Sequence, residues 1–178
     1  MAKRHNHYEA AFEDYLRSRQ IAYIAVNEQR RPIEAGGSLK NIDFIASPSD
    51  QSSPRWLIDV KGRRFPSGRQ YWRNWTTDEE LQSLERWSAR FGNDFLGVLV
   101  FAYELVGDRS PVPPHEVHFF RDRPYAFVAV PADRYRAIAR PLSARWGTVS
   151  APVATFRETA RPVATSLAVT PADLSAIA

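Results

Sequence analysis

The stretch that decides the fold is Arg55–Arg64, RWLIDVKGRR, in which an aspartate and a lysine stand two residues apart in an apolar run. Its β-branched and aromatic residues favour a β-strand, and Pro54 and Gly62 mark the predicted ends. Because successive side chains of a strand point to opposite faces, Asp59 and Lys61 share one face. Such a pair is either an ordinary ion pair on an edge strand or part of a functional site.

Composition limits the class of protein. The chain has 178 residues, of which 44% are hydrophobic and 12% aromatic, enough for one globular domain with a real core. The absence of cysteine excludes a disulfide framework and a thiolate metal site. The first ten residues lack the apolar segment of a secretory signal, and the longest apolar run, which starts at Phe95, is too short to span a bilayer. We expect a cytoplasmic protein with no membrane partner.

Basic residues are unevenly distributed by type. The formal net charge is +4 and the pI is about 9.6, which allows a polyanionic partner. Only Lys3, Lys40 and Lys61 are lysines among 24 basic residues. A lysine that is kept where arginine is otherwise used points to a role that needs a compact charge or a removable proton. Lys61 is therefore a candidate functional residue.

Hydrophobic periodicity and turn residues predict alternating helices and strands. The predicted elements are a helix over 8–19, strands over 21–26, 41–46 and 55–62, a helix within 76–92 with a threonine cap and Gly92 as its stop, a strand over 94–103, a hairpin turning near 122–124, and a helix from Pro131. We expect an α/β fold, with a central mixed β-sheet flanked by helices. Residues 1–150 are predicted to form a single domain, and 151–178, rich in Ala, Thr, Val and Pro, an extended tail.

The order helix, three strands, helix, strand resembles the core of the PD-(D/E)XK nuclease superfamily, the restriction-endonuclease-like proteins that include archaeal Holliday junction resolvases. The second-strand acid of that family matches Asp43 in NIDF, and its acid-x-lysine motif matches Asp59 and Lys61 in IDVK. Ile42 stands where the family name has proline. The resemblance spans residues 8–103.

The family also carries an acid in the first helix, and two residues are candidates. At about 100° per residue, Glu9 borders the apolar face of the predicted helix, whereas Glu13 lies further toward solvent. Glu9 is the preferred candidate. Either residue could instead be a surface carboxylate paired with an arginine such as Arg17.

The resemblance implies a catalytic set of Glu9, Asp43, Asp59 and Lys61. Two or three carboxylates suit Mg²⁺, or Mn²⁺ in its place, because a hard cation prefers oxygen ligands and keeps several waters. Asp43, Asp59 and Glu9 would be the metal ligands. Lys61 would contact the attacking water and the phosphate, either as a charge or as a proton acceptor.

A basic and aromatic segment follows the charged pair. Arg63, Arg64 and Arg69 are interleaved with aromatic residues, and guanidinium groups suit phosphates while aromatic rings suit unstacked bases. Together with Lys40 they are the predicted nucleic-acid contacts. The alternative is a solvated loop whose aromatic side chains pack against the hydrophobic core.

Other features carry less weight. The tripeptide HNH at 5–7 precedes a helix and lacks the dispersed histidines of the nuclease class with that name, and His115 and His118 lack nearby partners for a zinc site. Whether Gln82 faces the site cannot be decided from the pattern.

The sequence thus predicts a metal-dependent nuclease that acts on DNA rather than RNA. The alternative is a nucleic-acid-binding or interaction protein that keeps the fold without cleaving. A homodimer is one expected assembly, because cutting both strands of a duplex needs two sites or paired nicks.

Overall fold

Two eleven-residue strands lie side by side at the centre of the molecule. The computed structural model describes residues 6–26, 33–34, 37–48 and 52–168. Within these ranges the helices are α1 (His7–Ser18), α2 (Asp78–Phe91), α3 (Ala132–Ile138), α4 (Val153–Thr159) and α5 (Val163–Ala168), with a 3₁₀ turn at Pro114–Glu116. The strands are β1 (Ala22–Ala25), β2 (Ile33–Glu34), β3 (Gly37–Ser38), β4 (Phe44–Ser47), β5 (Arg55–Phe65), β6 (Thr76–Thr77), β7 (Phe95–Leu105), β8 (His118–Phe120), β9 (Arg123–Pro131), β10 (Arg140–Ser143), β11 (Thr148–Ser150) and β12 (Arg161–Pro162).

The central strands are β5 and β7, which run parallel from the pair Arg55–Phe95 to the pair Phe65–Leu105. A parallel pair needs a crossover, and α2 provides it. Across the described residues the main sheet has the order β1-β4-β5-β7-β9-β12, with β8 added on β9, and its other pairings are antiparallel. The predicted mixed sheet flanked by helices is confirmed.

The sheet has a hydrophobic layer on each face, and β5 contributes to both in alternation. Ile58 and Val60 pack in the layer that contains α1, whereas Leu57 and Phe65 pack in the layer that contains α2, α3 and α4. Asp59, which lies between these positions, therefore points to the α2 side.

Helix α1 begins one residue before its predicted start at Tyr8, and α2 has the predicted threonine cap. Asn6 caps α1 through its side chain, which accepts the N–H of Tyr8. Thr77 caps α2 in a reciprocal capping box with Glu80, and Gly92 follows its last turn. These caps fix the helix starts that face the central strands.

Two strand boundaries differ from the predictions. The predicted strand 41–46 begins only at Phe44, because Val60 N–H is bonded to the side chain of Asp43 rather than to a backbone carbonyl. Gly62 does not end β5, which continues to Phe65 beside β7. The parallel partner thus extends the strand beyond the glycine.

The predicted extended tail from Ala151 is wrong for residues 151–168. Pro152 occupies the N-cap position of α4, where its missing N–H costs no helix hydrogen bond, and Pro162 directly precedes α5. Phe156 and Val163 are fully buried, and β12 pairs with β9 through Arg161 and Ala129. The rest of the predicted tail, 169–178, lies outside the described residues.

Within the described ranges, no helix combines the length and the apolar character needed to cross a membrane.

Candidate active site

The main sheet forks where β4 stops pairing with β5. The β4–β5 register ends at the pair Phe44–Ile58, while β5 continues to Phe65 along β7. A cavity of about 370 Å³ opens at the fork. Its walls are the start of α1, the segment 39–43, residues 59–61 of β5 and the first two turns of α2.

Asp43 lies at the base of the fork and is 7% exposed. Its Oδ2 accepts the N–H of Val60 at 2.6 Å. Burial raises the pKa of the Asp43 carboxyl well above its usual range, and the negative charges of Asp59 and Glu9 raise it further. Three carboxylates therefore act on one another electrostatically at this cavity, an arrangement that a bound cation would stabilise.

Asp59 and Lys61 point into the cavity from β5. The Lys61 amine lies 2.8 Å from Asp59 Oδ2 and 3.2 Å from Glu80 Oε1. Burial alone would lower the pKa of Lys61, but the attraction of Asp59 and Glu80 outweighs it and the pKa is raised. Lys61 is therefore an ammonium ion at neutral pH.

The structure places Glu9, and not Glu13, in the cavity. Glu9 is buried on α1 and accepts a hydrogen bond from Asn6 Nδ2 at 2.6 Å. Glu13 instead accepts the hydroxyl of Tyr23 at 3.0 Å and lies 3.7 Å from Arg17. The preference for Glu9 thus agrees with its position. Glu13 forms the helix-surface ion pair that was the alternative for either residue.

Glu80 is a cavity residue that the sequence motifs did not single out. One carboxylate oxygen accepts the backbone N–H of Thr77 and the hydroxyl of Thr76, while the other faces Lys61. Burial would raise the pKa of Glu80, but Lys61 and the Thr77 hydrogen bonds lower it to about 2. The Thr-x-x-Glu pattern at the start of α2 was the available signal, since it marks a capping box.

Lys40 lies at the rim of the cavity, with its side chain 42% exposed. Its amine is 3.5 Å from Glu79 and 3.6 Å from Glu80. The backbone N–H of Lys40 donates to Ser83 Oγ, and its carbonyl accepts the indole N–H of Trp87. The segment that carries Asp43 is thereby attached to α2.

The comparisons with known proteins agree with this architecture. The structure of the Holliday junction resolvase Hjc from Archaeoglobus fulgidus superposes with a TM-score of 0.52 at 12% sequence identity, over 90% of this chain and 98% of that one. The chain has the restriction-endonuclease-like fold. The resemblance to PD-(D/E)XK nucleases is confirmed at the level of the fold. No protein-family model and no curated protein matches the chain.

On this restriction-endonuclease-like fold, the donor set suits a hard divalent cation. Asp43, Asp59 and Glu9 offer only carboxylate oxygens, the ligands that Mg²⁺ and Mn²⁺ prefer. In the part of the chain that the structure describes, no three His, Asp or Glu side chains are grouped so that they could hold a metal ion. Asp59 Oδ2 is instead paired with the Lys61 amine, at 2.8 Å. Carboxylate rearrangement would therefore accompany metal binding.

The restriction-endonuclease-like sheet separates the predicted basic contacts. Arg63 points to the α2 side, where its guanidinium lies 3.9 Å from the centre of the Trp75 ring and donates to the carbonyls of Gly62 and Trp75. Burial lowers its pKa. Arg64 and Arg69 are exposed. Arg63 therefore has a packing role, and only the other two arginines present free surface.

The remaining polar candidates lie outside the cavity. His7 lies 2.8 Å from the hydroxyl of Tyr125, and His118 lies 2.9 Å from Asp14. Gln82 is exposed and donates to Asp78. His115 is exposed beside Glu116, and His5 lies outside the described residues.

Proposed function

We propose that the protein is a metal-dependent nuclease that hydrolyses phosphodiester bonds in DNA. The observation that carries the proposal is the meeting of Glu9, Asp43, Asp59 and Lys61, from α1, the 39–43 segment and β5, in one cavity at the sheet fork. Acids and a lysine at these positions match the motif of the PD-(D/E)XK nucleases.

Hydrolysis of a phosphodiester requires a water molecule near phosphorus and stabilisation of the charge that develops on oxygen. Asp43 and Asp59, together with Glu9, would hold a Mg²⁺ or Mn²⁺ ion, which would act as a Lewis acid and lower the pKa of a nearby water. Asp43 is fixed for this role because it accepts the backbone N–H of Val60, and Glu9 because it accepts a hydrogen bond from the Asn6 amide.

Lys61 would act through its charge rather than as a base. Its ammonium group is held between Asp59 and Glu80, which raise its pKa, so it can donate hydrogen bonds to a phosphate oxygen and to the attacking water. Of the two roles that the sequence leaves open for Lys61, a positive charge or a proton acceptor, this favours the positive charge. Glu80 would be a positioning residue, since it contacts Lys61 from α2.

A second candidate function is DNA binding without cleavage. The Lys61 amine lies 2.8 Å from Asp59 Oδ2 and so occupies one of the carboxylate oxygens that a metal ion would need. Both candidates predict binding to DNA, and only cleavage separates them.

The test is cleavage of supercoiled plasmid and of labelled single-stranded and branched oligonucleotides, with Mg²⁺ or Mn²⁺ and with a chelator. We expect metal-dependent cutting by the wild type and a loss of at least about 100-fold in Asp59→Asn. The matched control is Asp108→Asn, which removes an exposed carboxylate outside the cavity and is expected to leave the rate unchanged. A wild type that binds these substrates and cuts none of them would overturn the nuclease proposal.

Assembly can be tested in the same preparations. A homodimer would bring one cavity to each strand of a duplex, so sedimentation or light scattering is expected to give twice the monomer mass of 20.3 kDa for the free protein and that mass plus the DNA for the complex. A monomer that makes only single-strand nicks would contradict this expectation.

A further inference from the structure

The turn between β10 and β11 holds a tryptophan in solvent beside an arginine. Trp146 is 67% exposed, and the guanidinium carbon of Arg145 lies 5.1 Å from the centre of its ring. Gly147 closes the turn with a positive φ of 55° and donates its N–H to the carbonyl of Ala144. Because large aromatic side chains normally bury most of their surface, an indole presented by a tight turn is suited to contact a flat partner.

The hairpin tip is attached to the wall of the cavity. The backbone N–H of Asp78, at the start of α2, donates to the carbonyl of Gly147 at 2.8 Å. Thr148 pairs with Thr77 in the three-stranded sheet. The next residues of α2, Glu79 and Glu80, line the cavity. Trp146 therefore stands next to the helix turn that forms one side of the candidate active site.

The β10–β11 hairpin carries positive charge and no acidic residue, which favours an anionic partner. The acidic residues of the first turn of α2 each pair with a basic side chain, as Asp78–Arg136, Glu79–Lys40 and Glu80–Lys61, and the same three bases also pair with Glu85, Glu80 and Asp59 respectively. Arg140 and Arg145 of the hairpin are exposed. The hairpin thus offers an aromatic plane and positive charge side by side, the combination that binds a nucleotide base and its phosphate.

We propose that Trp146 and Arg145 form a platform on which an unpaired DNA base stacks beside the cavity, so that the protein binds single-stranded segments more tightly than blunt duplex. A base inside a duplex has both faces covered by its neighbours, whereas an unpaired base has a free face for the indole. The inference rests on the proposed function for the identity of the nucleic acid.

The experiment measures binding of a fluorescent 20-mer, as a single strand and as a blunt duplex of the same sequence, in the presence of chelator so that no cutting occurs. We expect Trp146→Ala to weaken binding of the single strand about 5- to 100-fold and that of the duplex less than about twofold. Trp146→Phe, which keeps an aromatic plane, is expected to retain most of the affinity. The matched control is Phe119→Ala, which removes an aromatic side chain with 68% exposure from β8.

Salt dependence separates stacking from charge. Trp146→Ala is expected to keep the slope of log Kd against log salt, whereas Arg145→Ser is expected to reduce it by about 0.7 on a single strand. Equal single-strand affinity in wild type and Trp146→Ala, or an equal loss on single strand and duplex, would overturn the inference. A wild type that binds single strands through Trp146 and cuts nothing would refute the nuclease proposal alone. A wild type that cuts, but whose single-strand affinity is unchanged in Trp146→Ala, would refute this inference alone.

Discussion

The carboxylate of Asp43 accepts the backbone N–H of Val60 at the point where β4 stops pairing with β5. A side chain thereby satisfies a β5 donor that has no β4 carbonyl opposite it, and the cost of an unpaired buried N–H is avoided. The same interaction holds the carboxylate at the base of the cavity.

Replacing Asp43 with asparagine is expected to stabilise the metal-free protein by about 0.5–2 kcal/mol at neutral pH, because it removes a buried negative charge near Asp59 and Glu9 but keeps an oxygen for Val60. The pKa of Asp43 is higher in the folded than in the unfolded protein. The folded state therefore binds more protons between the two values, and wild-type stability falls as pH rises through that interval.

The measurement is thermal melting in chelator at pH 4 and at pH 8, with the mutant advantage larger at pH 8. Added Mg²⁺ or Mn²⁺ should then raise the melting temperature of the wild type and not that of Asp43→Asn. A mutant less stable than the wild type at pH 8 in chelator would show that the carboxylate is not a source of repulsion.

Lys61→Arg is expected to slow cleavage by about 10²–10⁴ while DNA affinity changes less than about threefold. The substitution keeps the positive charge but replaces a compact ammonium, held between Asp59 and Glu80, with a wide planar group. Single-turnover cleavage and binding in chelator give the two quantities separately. The matched control is Lys40→Arg, the same exchange at the rim of the cavity, for which we expect nearly wild-type cleavage. Equal rates for Lys61→Arg and the wild type would remove Lys61 from the proposed catalytic set.

The arginines at 63 and 64 are expected to behave differently although they are neighbours. Combined Arg64→Ser and Arg69→Ser should reduce the salt slope of duplex binding by about 0.9 for each phosphate that is no longer neutralised. Arg63→Ser should leave the slope unchanged and lower the melting temperature, since its guanidinium packs on Trp75. An unchanged slope in the double mutant would place the DNA-binding surface elsewhere on the protein.

Gly62→Ala is expected to destabilise the fold by about 1–3 kcal/mol. A Cβ added at Gly62 would lie 2.1 Å from the nearest ring atom of Tyr8, so α1 would have to move away from β5. Chemical denaturation gives the value. Adding Tyr8→Ala should cancel much of the loss in a double-mutant cycle, which is a coupling that an indirect effect would not produce. Gly107→Ala, whose Cβ would lie 3.2 Å from Pro66, is the control with the smaller expected cost.

Strand alternation and helix capping made much of the site predictable. Alternation along β5 placed Asp59 and Lys61 on one face, and the predicted threonine cap, which the structure shows to be Thr77, located the start of α2. The same alternation separates Arg63 from Arg64, although both are predicted from the sequence as nucleic-acid contacts beyond a strand end at Gly62. Here the parallel pairing with β7 overrides the local preference of glycine.

Other contacts depend on packing between distant segments and have no local signal. Glu80 meets Lys61 only because α2 lies across β5. The amide of Asn74 is buried and bonds to both backbone groups of Ala151, 77 residues further along the chain. The small residues around Phe156 suggested an extended tail, yet this side chain packs against the rings of Phe101 and Tyr135.

Because lysine is scarce in this chain, chemical labelling of amines would report on the cavity. Lys40 and Lys61 are two of the three lysines in the chain, and both line this cavity. The Lys40 side chain is 42% exposed and that of Lys61 is 11% exposed. An amine-directed acylating reagent should therefore modify Lys40 well before Lys61. The rate of Lys40 acylation, followed by mass spectrometry, would then fall when a ligand covers the mouth of the cavity. This measurement needs neither a tag nor an engineered residue.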